Sequence, residues 1–155
     1  MSDYIKDIRK IVGNTPIRSV STGIIVEYND QILLQHRSDT HDYGTPGGNV
    51  ELDEKVIDAA RRELFEETGI EVQDLSLFGI YSGENQVTVY PNGDVTYYVV
   101  VVFYTQLHSK PILIKDEESH GLAFYSRTTL PKPLKPTDVT WIESWVNKDF
   151  TIKID

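Results

Sequence analysis

The spacing of apolar residues along the chain predicts where helices and strands form. Four apolar residues near the N-terminus fall on one helical face, which predicts a short helix over residues 4–12 that ends before Gly13: Ile5, Ile8, Ile11 and Val12. Residues 17–28 are rich in β-branched residues and predict a strand. A turn at Asn29-Asp30 leads into its hairpin partner at residues 32–37.

The period becomes helical again between Lys55 and Thr68, where an apolar stripe predicts a second helix. Asp53 is the expected N-cap of this helix, and Gly69 stands where a C-terminal glycine cap belongs. Four strand-like segments follow, at residues 72–81, 86–90, 95–106 and 122–126. A closing helix is expected at residues 137–147, where Trp141 and Trp145 are spaced to anchor a core.

Helices therefore precede, interrupt and follow a series of strands. This order predicts an α/β fold in which a mixed sheet is covered on both faces. The 155 residues are enough for one sizeable core, so we expect a single domain over residues 1–155.

Composition and charge exclude several classes of protein. The 24 acidic and 15 basic residues give a net charge of −9, which argues against a broad grip on long nucleic acid. Cysteine is absent, which excludes disulfides, thiolate metal sites and cysteine nucleophiles. The longest apolar run, residues 97–104, is too short for a membrane span, so no membrane partner is expected. The N-terminal segment Met1–Asp7 carries acids where a signal peptide is basic, so we expect a cytoplasmic protein.

The second helix carries an unusual density of acids. Glu63, Glu66 and Glu67 are three and four positions apart and so lie near one face. Like charges at this spacing destabilise a helix by about 0.2–0.5 kcal/mol per pair, so they either spread into solvent or hold a cation. Carboxylate clusters suit Mg²⁺ or Mn²⁺, and Arg62 among them can form a fork-like pair that orients one acid.

The whole segment over residues 48–70 favours a bound cation over a solvated acidic face; its sequence is GNVELDEKVIDAARRELFEETGI. The segment matches every defined position of the Nudix box: Gly48, Glu54 after five intervening residues, and the run from Arg62 to Ile70 after seven more. The chain therefore resembles the Nudix hydrolase superfamily. The resemblance implies an α/β/α sandwich that hydrolyses the pyrophosphate bond of a small nucleoside diphosphate derivative with Mg²⁺ or Mn²⁺.

The resemblance also implies roles for the box residues. Glu63, Glu66 and Glu67 would hold the metal, chiefly the first and the last. Glu54 and Arg62 would orient these catalytic acids. Gly48, with Gly47 before it, would let the backbone approach the metal or the phosphates. Thr45 stands where many members have leucine, a change that should not affect metal binding.

Outside the box, two residues are candidates for the same site. Arg37 leaves the second strand toward the box and could contact phosphate. Some relatives use an acid on a later loop as the general base, and Glu118 is the best match here. Asp116, Glu117 and His120 are the alternatives to Glu118. Three tyrosines are weaker candidates for stacking on a base: Tyr43, Tyr81 and Tyr90.

The residues leave the substrate open among ADP-ribose, a nucleotide sugar, a dinucleoside polyphosphate and a nucleoside triphosphate. Two other functions also stay open: removal of pyrophosphate from the 5′ end of RNA, and a non-catalytic nucleotide-binding module. The number of metal ions is open, and a homodimer is possible.

Overall fold

The structure is a computed structural model that describes residues 3–155, so Met1 and Ser2 of the N-terminal segment lie outside the described residues. The helices of the described part are α1 (Asp3–Val12), α2 (Val56–Thr68) and α3 (Val139–Val146). Its strands are β1 (Ile17–Tyr28), β2 (Gln31–Arg37), β3 (Tyr43–Gly44), β4 (Ser76–Tyr81), β5 (Val87–Val89), β6 (Val95–Leu107), β7 (Ser119–Ser126) and β8 (Lys153–Ile154).

The expected helices and strands form, with shifted ends in some cases. β4 begins four residues after the expected start at 72, and β7 begins three residues before the expected start at 122. The expected N-cap at Asp53 is wrong: Lys55 precedes the first turn of α2 in an extended conformation and makes no side-chain cap bond. Asp53 lies instead in a separate turn, which the Glu54 N–H closes on the Glu51 carbonyl at 3.2 Å. Gly69 caps α2 as expected, with φ 75° and its N–H bonded to Phe65 O at 2.8 Å.

The sheet is mixed, as expected. Within residues 3–155 its strand order is β3-β2-β1-β6-β4-β8, with β5 paired to β6 and β7 paired to β2. β1 and β6 run parallel along the full length of β1, and the pair β1–β2 is antiparallel. This order places β1 and β6 at the centre of the sheet, with β2 beside β1 and β4 beside β6.

β1 and β2 pair only beside their turn, and this short pairing creates the setting of the site. The register between them covers two residue pairs; farther along β2, Gln35 and His36 pair with β3 instead, while β7 pairs with the other edge of β2. The free edge of β1 then binds residues 46–50: Thr22 N–H donates to Gly48 O at 2.8 Å, and Ile24 N–H donates to Pro46 O at 2.8 Å. The backbone just before α2 is therefore held as an extra, irregular strand.

Each face of the sheet packs against a helix, because alternate residues of a strand point to opposite faces. On one face Ile25 and Leu34 pack with Trp141 and Trp145 of α3. On the other face apolar residues of β1 and β2 pack with Ala60 and Leu64 of α2: Ile24, Val26 and Leu33. The two cores make the α/β/α sandwich that the pattern and the resemblance predicted.

None of the helices in residues 3–155 has both the length and the apolar character that crossing a membrane requires.

Candidate active site

Residues 47 and 48 lie so close to their surroundings that a Cβ at either position would clash with a neighbouring group. A Cβ at position 47 would lie 2.0 Å from Thr22 O, and a Cβ at position 48 would lie 2.4 Å from Cδ of Glu63. The Gly47 N–H donates to Oε2 of Glu67 at 3.1 Å. The backbone held by β1 and the acidic face of α2 are thus in direct contact.

Burial disfavours the charged forms of Glu67 and Glu63. Glu67 is 3% exposed, and burial together with the charge of Glu63 raises its pKa well above the ordinary range, against the bond from Gly47. Burial also raises the pKa of Glu63, although the neighbouring Arg62 opposes the shift. Two buried acids that repel each other are stabilised when a cation binds between them.

Arg62 fixes the remaining acids of the box. Its Nε and one terminal nitrogen bond both carboxylate oxygens of Glu54, at 2.7 and 2.9 Å, which is the expected fork-like pair. This bonding lowers the pKa of Glu54. The other terminal nitrogen reaches Glu63 at 2.9 Å and Glu66 at 3.3 Å. Glu66 points outward, with its side chain 55% exposed, so the three acids of the predicted face differ in burial.

Arg62 and the acids Glu63, Glu66 and Glu67 line a cavity of about 650 Å³, a size typical of small-molecule sites. Its walls come from α1, β1, the loop after β2, residues 45–49, α2, β5, β6 and the segment before α3. Among the described residues, nine carboxylates line it against four basic side chains. A bare diphosphate would be repelled by this excess, so the cavity suits phosphates that arrive with divalent cations.

The donor set fits Mg²⁺ or Mn²⁺ chemically, because it consists of carboxylate and main-chain oxygens. Within residues 3–155, no three side chains of Asp, Glu or His already converge as a ligand set. Arg62 occupies oxygens of Glu63 and Glu66, so their release from Arg62 would accompany ion binding. The main-chain oxygen of Gly48 accepts from Thr22, whereas that of Gly47 accepts no hydrogen bond within the described residues, which makes it the more available oxygen.

Arg37 and Glu118 line the same cavity although they are distant from the box in sequence. Arg37 bonds Asp39 in a fork at 2.9 and 3.0 Å; burial opposes its charge, yet these bonds raise its pKa. The charge of Glu118 contributes to the raised pKa of both Glu63 and Glu67, which is consistent with its place on the same cavity wall.

The three alternatives to Glu118 do not reach the cavity. Within the described residues, its lining includes none of Asp116, Glu117 and His120. Asp116 instead accepts from the Glu118 N–H at 3.1 Å, and the His120 ring stacks on that of His41. Of these four side chains, Glu118 is therefore the one placed to act on a bound molecule.

Sequence reasoning missed the residues that anchor the glycine segment from the other side. Asp138, 2% exposed at the start of α3, accepts from both the N–H and the hydroxyl of Thr45, at 2.9 and 3.0 Å. Trp141 Nε1 donates to the same hydroxyl at 3.1 Å. Thr45 in place of leucine thus ties residues 45–48 to α3, and nothing in the local pattern signals that bond.

The tyrosines divide between the core and the cavity. Tyr81 is buried in the core, and Tyr43 packs against that core without lining the cavity. Tyr90 does line the cavity, together with Tyr98, which the sequence reasoning overlooked. The alternation of Thr96, Tyr98 and Val100 along one face of β6 was the signal that could have identified it.

Comparison with known proteins gives relatives that match part of this chain. A "MutT-like protein" of Streptomyces ambofaciens is 40% identical over 67 residues, which are 43% of this chain and 44% of that protein. An "ADP-ribose pyrophosphatase" of Methanocaldococcus jannaschii is 32% identical over 117 residues, 74% of this chain and 65% of that protein. The chain thus spans less than two thirds of the length of both relatives.

A solved structure shows the same fold. The MutT NUDIX hydrolase of Burkholderia pseudomallei superimposes with a TM-score of 0.68 at 24% identity, over 82% of this chain and 97% of that one. The NUDIX domain family itself matches residues 17–145, which contain the glycine segment, α2 and Glu118. The chain therefore belongs to the NUDIX domain family.

Proposed function

We propose that this protein is a divalent-metal-dependent pyrophosphohydrolase that acts on a small nucleoside diphosphate derivative. The observation that carries the proposal is the buried Glu67 beside Glu63, both against the backbone of Gly47 and Gly48 in the wall of an acidic cavity. The family of the chain and the printed name of its archaeal relative support the same activity.

Glu63 and Glu67 would hold the Mg²⁺ or Mn²⁺, with Glu66 at the rim and the main-chain oxygen of Gly47 completing the oxygen ligands. When bound, such an ion neutralises phosphate charge and lowers the pKa of a water molecule. Arg62, held by Glu54, keeps the Glu63 carboxylate oriented toward the cavity. Glu54 and Arg62 are therefore positioning residues in this proposal.

Two further residues would act on the substrate itself. Arg37, on the cavity wall, would bind a phosphate oxygen and exchange part of its bonding to Asp39 for it. Glu118 would accept a proton from the attacking water, because it lies on the wall of the same cavity as Glu63 and Glu67. Water would attack one phosphorus, and the bond from that phosphorus to the bridging oxygen would break without a covalent enzyme intermediate.

The cavity favours a small substrate over a nucleic acid. Its volume of about 650 Å³ accommodates a compound of the size of ADP-ribose or a nucleotide sugar. Its acidic lining and the net charge of −9 disfavour binding of the phosphate backbone of a long nucleic acid. All box acids are retained, and Glu63, Glu66 and Glu67 line one cavity, which favours an enzyme over a non-catalytic binding module.

Phosphorus NMR of product formation tests the proposal. The panel contains ADP-ribose, a nucleotide sugar, a dinucleoside polyphosphate, a nucleoside triphosphate and a 5′-triphosphorylated oligonucleotide, each with and without Mg²⁺. We expect Mg²⁺-dependent cleavage of at least one small compound. Glu67→Gln should reduce it about a thousandfold, since it removes a ligand worth several kcal/mol to the transition state.

Glu71→Gln is the matched control, because Glu71 is exposed and lies outside the cavity lining. It should retain full activity. Inactivity of the wild type on the whole panel would contradict the proposal. Equal activity of the wild type and Glu67→Gln would also contradict it. Cleavage of the oligonucleotide alone would replace the small substrate by an RNA end.

A further inference from the structure

We propose that one wall of the cavity binds the uncharged part of the substrate, a sugar or base bearing hydroxyl or amide groups. The β5–β6 wall consists of five side chains: Gln86, Thr88, Tyr90, Thr96 and Tyr98. This inference rests on the proposed function, since it says which part of a nucleoside diphosphate derivative is recognised away from the cleaved bond.

Gln86 has an unused acceptor. Its residue is 2% exposed, and its Nε2 donates to the Thr137 carbonyl at 2.9 Å. The amide is therefore fixed in one orientation, yet its Oε1 accepts no hydrogen bond from the described residues. A buried carbonyl without a donor is costly, and this oxygen is closed to solvent, so a ligand that opens the wall and brings an N–H or O–H to it gains stability.

Two phenols on the same wall also have bonding capacity to spare. The hydroxyl oxygens of Tyr90 and Tyr98 lie 2.6 Å apart, so one proton is shared between them. The side chain of Thr96 also hydrogen-bonds Tyr98, so the capacity left is the other phenol proton and the lone pairs that these bonds do not use, since each hydroxyl can donate once and accept twice. Burial raises the pKa of Tyr98, so its hydroxyl stays neutral. The wall thus offers donors and acceptors without charge.

The basic residue beside this wall is already engaged. Arg9 of α1 donates to three main-chain oxygens at 2.8–2.9 Å, those of Gly13, Thr15 and Val95, and to the Thr96 hydroxyl at 3.1 Å. Its Nε also lies 3.6 Å from Asp94. A phosphate on this wall would compete with all these partners, so the wall suits an uncharged group and the phosphates belong beside α2 and Arg37.

The helix that closes this wall lies outside the part of the chain that matches the family. α1 ends at Val12, whereas the match begins at residue 17. Arg9 ties α1 to β6, and the Glu51 carboxylate accepts from the N–H groups of Asp3 and Tyr4 at 3.2 and 3.3 Å. Ile5 of α1 is buried and lines the cavity. α1, which precedes the residues matched by the family, therefore helps to shape this subsite.

The test compares Tyr90→Phe and Tyr98→Phe with Tyr97→Phe. Tyr97 is an exposed neighbour on β6 that does not line the cavity, so its variant controls for the loss of a phenol. With ADP-ribose and Mg²⁺, we expect the two wall variants to raise KM about three- to tenfold at nearly constant kcat, since each removes a hydrogen bond to an uncharged group. Tyr97→Phe should leave KM unchanged.

A second measurement needs no catalysis. Metal-free protein is titrated with adenosine and, separately, with D-ribose while backbone amide NMR resonances are followed. Shifts at Thr88, Tyr90 and Tyr98 are expected with one probe, and that probe identifies the group as base or sugar. These shifts should be reduced in Tyr98→Phe.

The outcomes separate the two proposals. If hydrolysis occurs but the wall variants match Tyr97→Phe in KM and neither probe shifts the wall resonances, the inference is overturned and the proposed function stands. If no compound is hydrolysed but a probe shifts the wall resonances in a way that depends on Tyr98, the proposed function fails and the binding wall stands.

Discussion

Replacing Gly48 by alanine should damage catalysis far more than stability. The new Cβ would lie 2.4–2.6 Å from three atoms of the Glu63 carboxyl group, whereas ordinary contacts begin at 3.4 Å. The carboxyl group must therefore move by about 1 Å. It lies at the end of a flexible side chain, so the move strains its bond to Arg62 and little else, which costs about 1 kcal/mol or less.

A displacement of about 1 Å at a catalytic group lowers activity on the order of a hundredfold. We therefore expect Gly48→Ala to melt within a few degrees of the wild type, while kcat/KM for the panel compound that the wild type hydrolyses best falls about a hundredfold. The assays are thermal unfolding and steady-state hydrolysis in Mg²⁺. Gly121→Ala is the control, because a Cβ there meets no atom within 4 Å.

Gly47→Ala should differ in kind from Gly48→Ala. Its Cβ would lie 2.0 Å from a main-chain oxygen of β1, which cannot swing aside, so this variant should lose stability and activity together. Full activity of Gly48→Ala would refute the assignment of Glu63 to the site. A large loss of stability in Gly48→Ala would refute the reasoning that separates the two glycines.

The sequence predicted best what depends on neighbours along the chain. The acids of α2, the glycine pair and the cap at Gly69 follow from spacing within residues 47–70, where the helical repeat itself brings Glu63 and Glu67 together. Their contact with the glycine segment needed one more element, the free edge of β1. The pattern of apolar residues gave no sign that β1 and β2 diverge.

What depends on distant pairing was harder to predict. Glu118 reaches the cavity because β7 pairs with β2 beside Arg37, and an acidic loop alone does not distinguish Glu118 from its neighbours. Asp138 anchors Thr45 across 93 positions, so neither residue shows its role locally. β3 and β8 have two residues each, too few for an alternation to be visible.

Three further changes test other parts of the structure. In metal-free protein at pH 7, Glu67→Gln should unfold at a higher temperature than the wild type, because burial and Glu63 raise the pKa of Glu67. Relative to this variant, the wild type should gain stability as the pH falls toward the ordinary pKa of 4.5. An unchanged difference in melting temperature over this pH range, measured with EDTA, would contradict the raised pKa. Arg127→Ala should lower the free energy of unfolding in urea by about 3 kcal/mol, since it leaves Glu27 buried without its ion-pair partner, 3.0 Å away; a loss below about 0.5 kcal/mol would show that the pair is dispensable. Thr45→Val should cost about 1–3 kcal/mol by the same measurement, because the N–H of buried Trp141 loses its acceptor, and wild-type stability would rule out this anchoring role.

All of the proposed chemistry depends on binding of a divalent cation by the acids of α2 at the glycine segment. Electron paramagnetic resonance of free Mn²⁺, titrated with protein, tests it most directly, because bound Mn²⁺ leaves the free-ion signal. We expect the wild type and Glu71→Gln to remove the free Mn²⁺ signal at the same protein concentration. Glu63→Gln and Glu67→Gln should need at least ten times more protein. Equal Mn²⁺ binding by all four proteins, or none by the wild type, would contradict it.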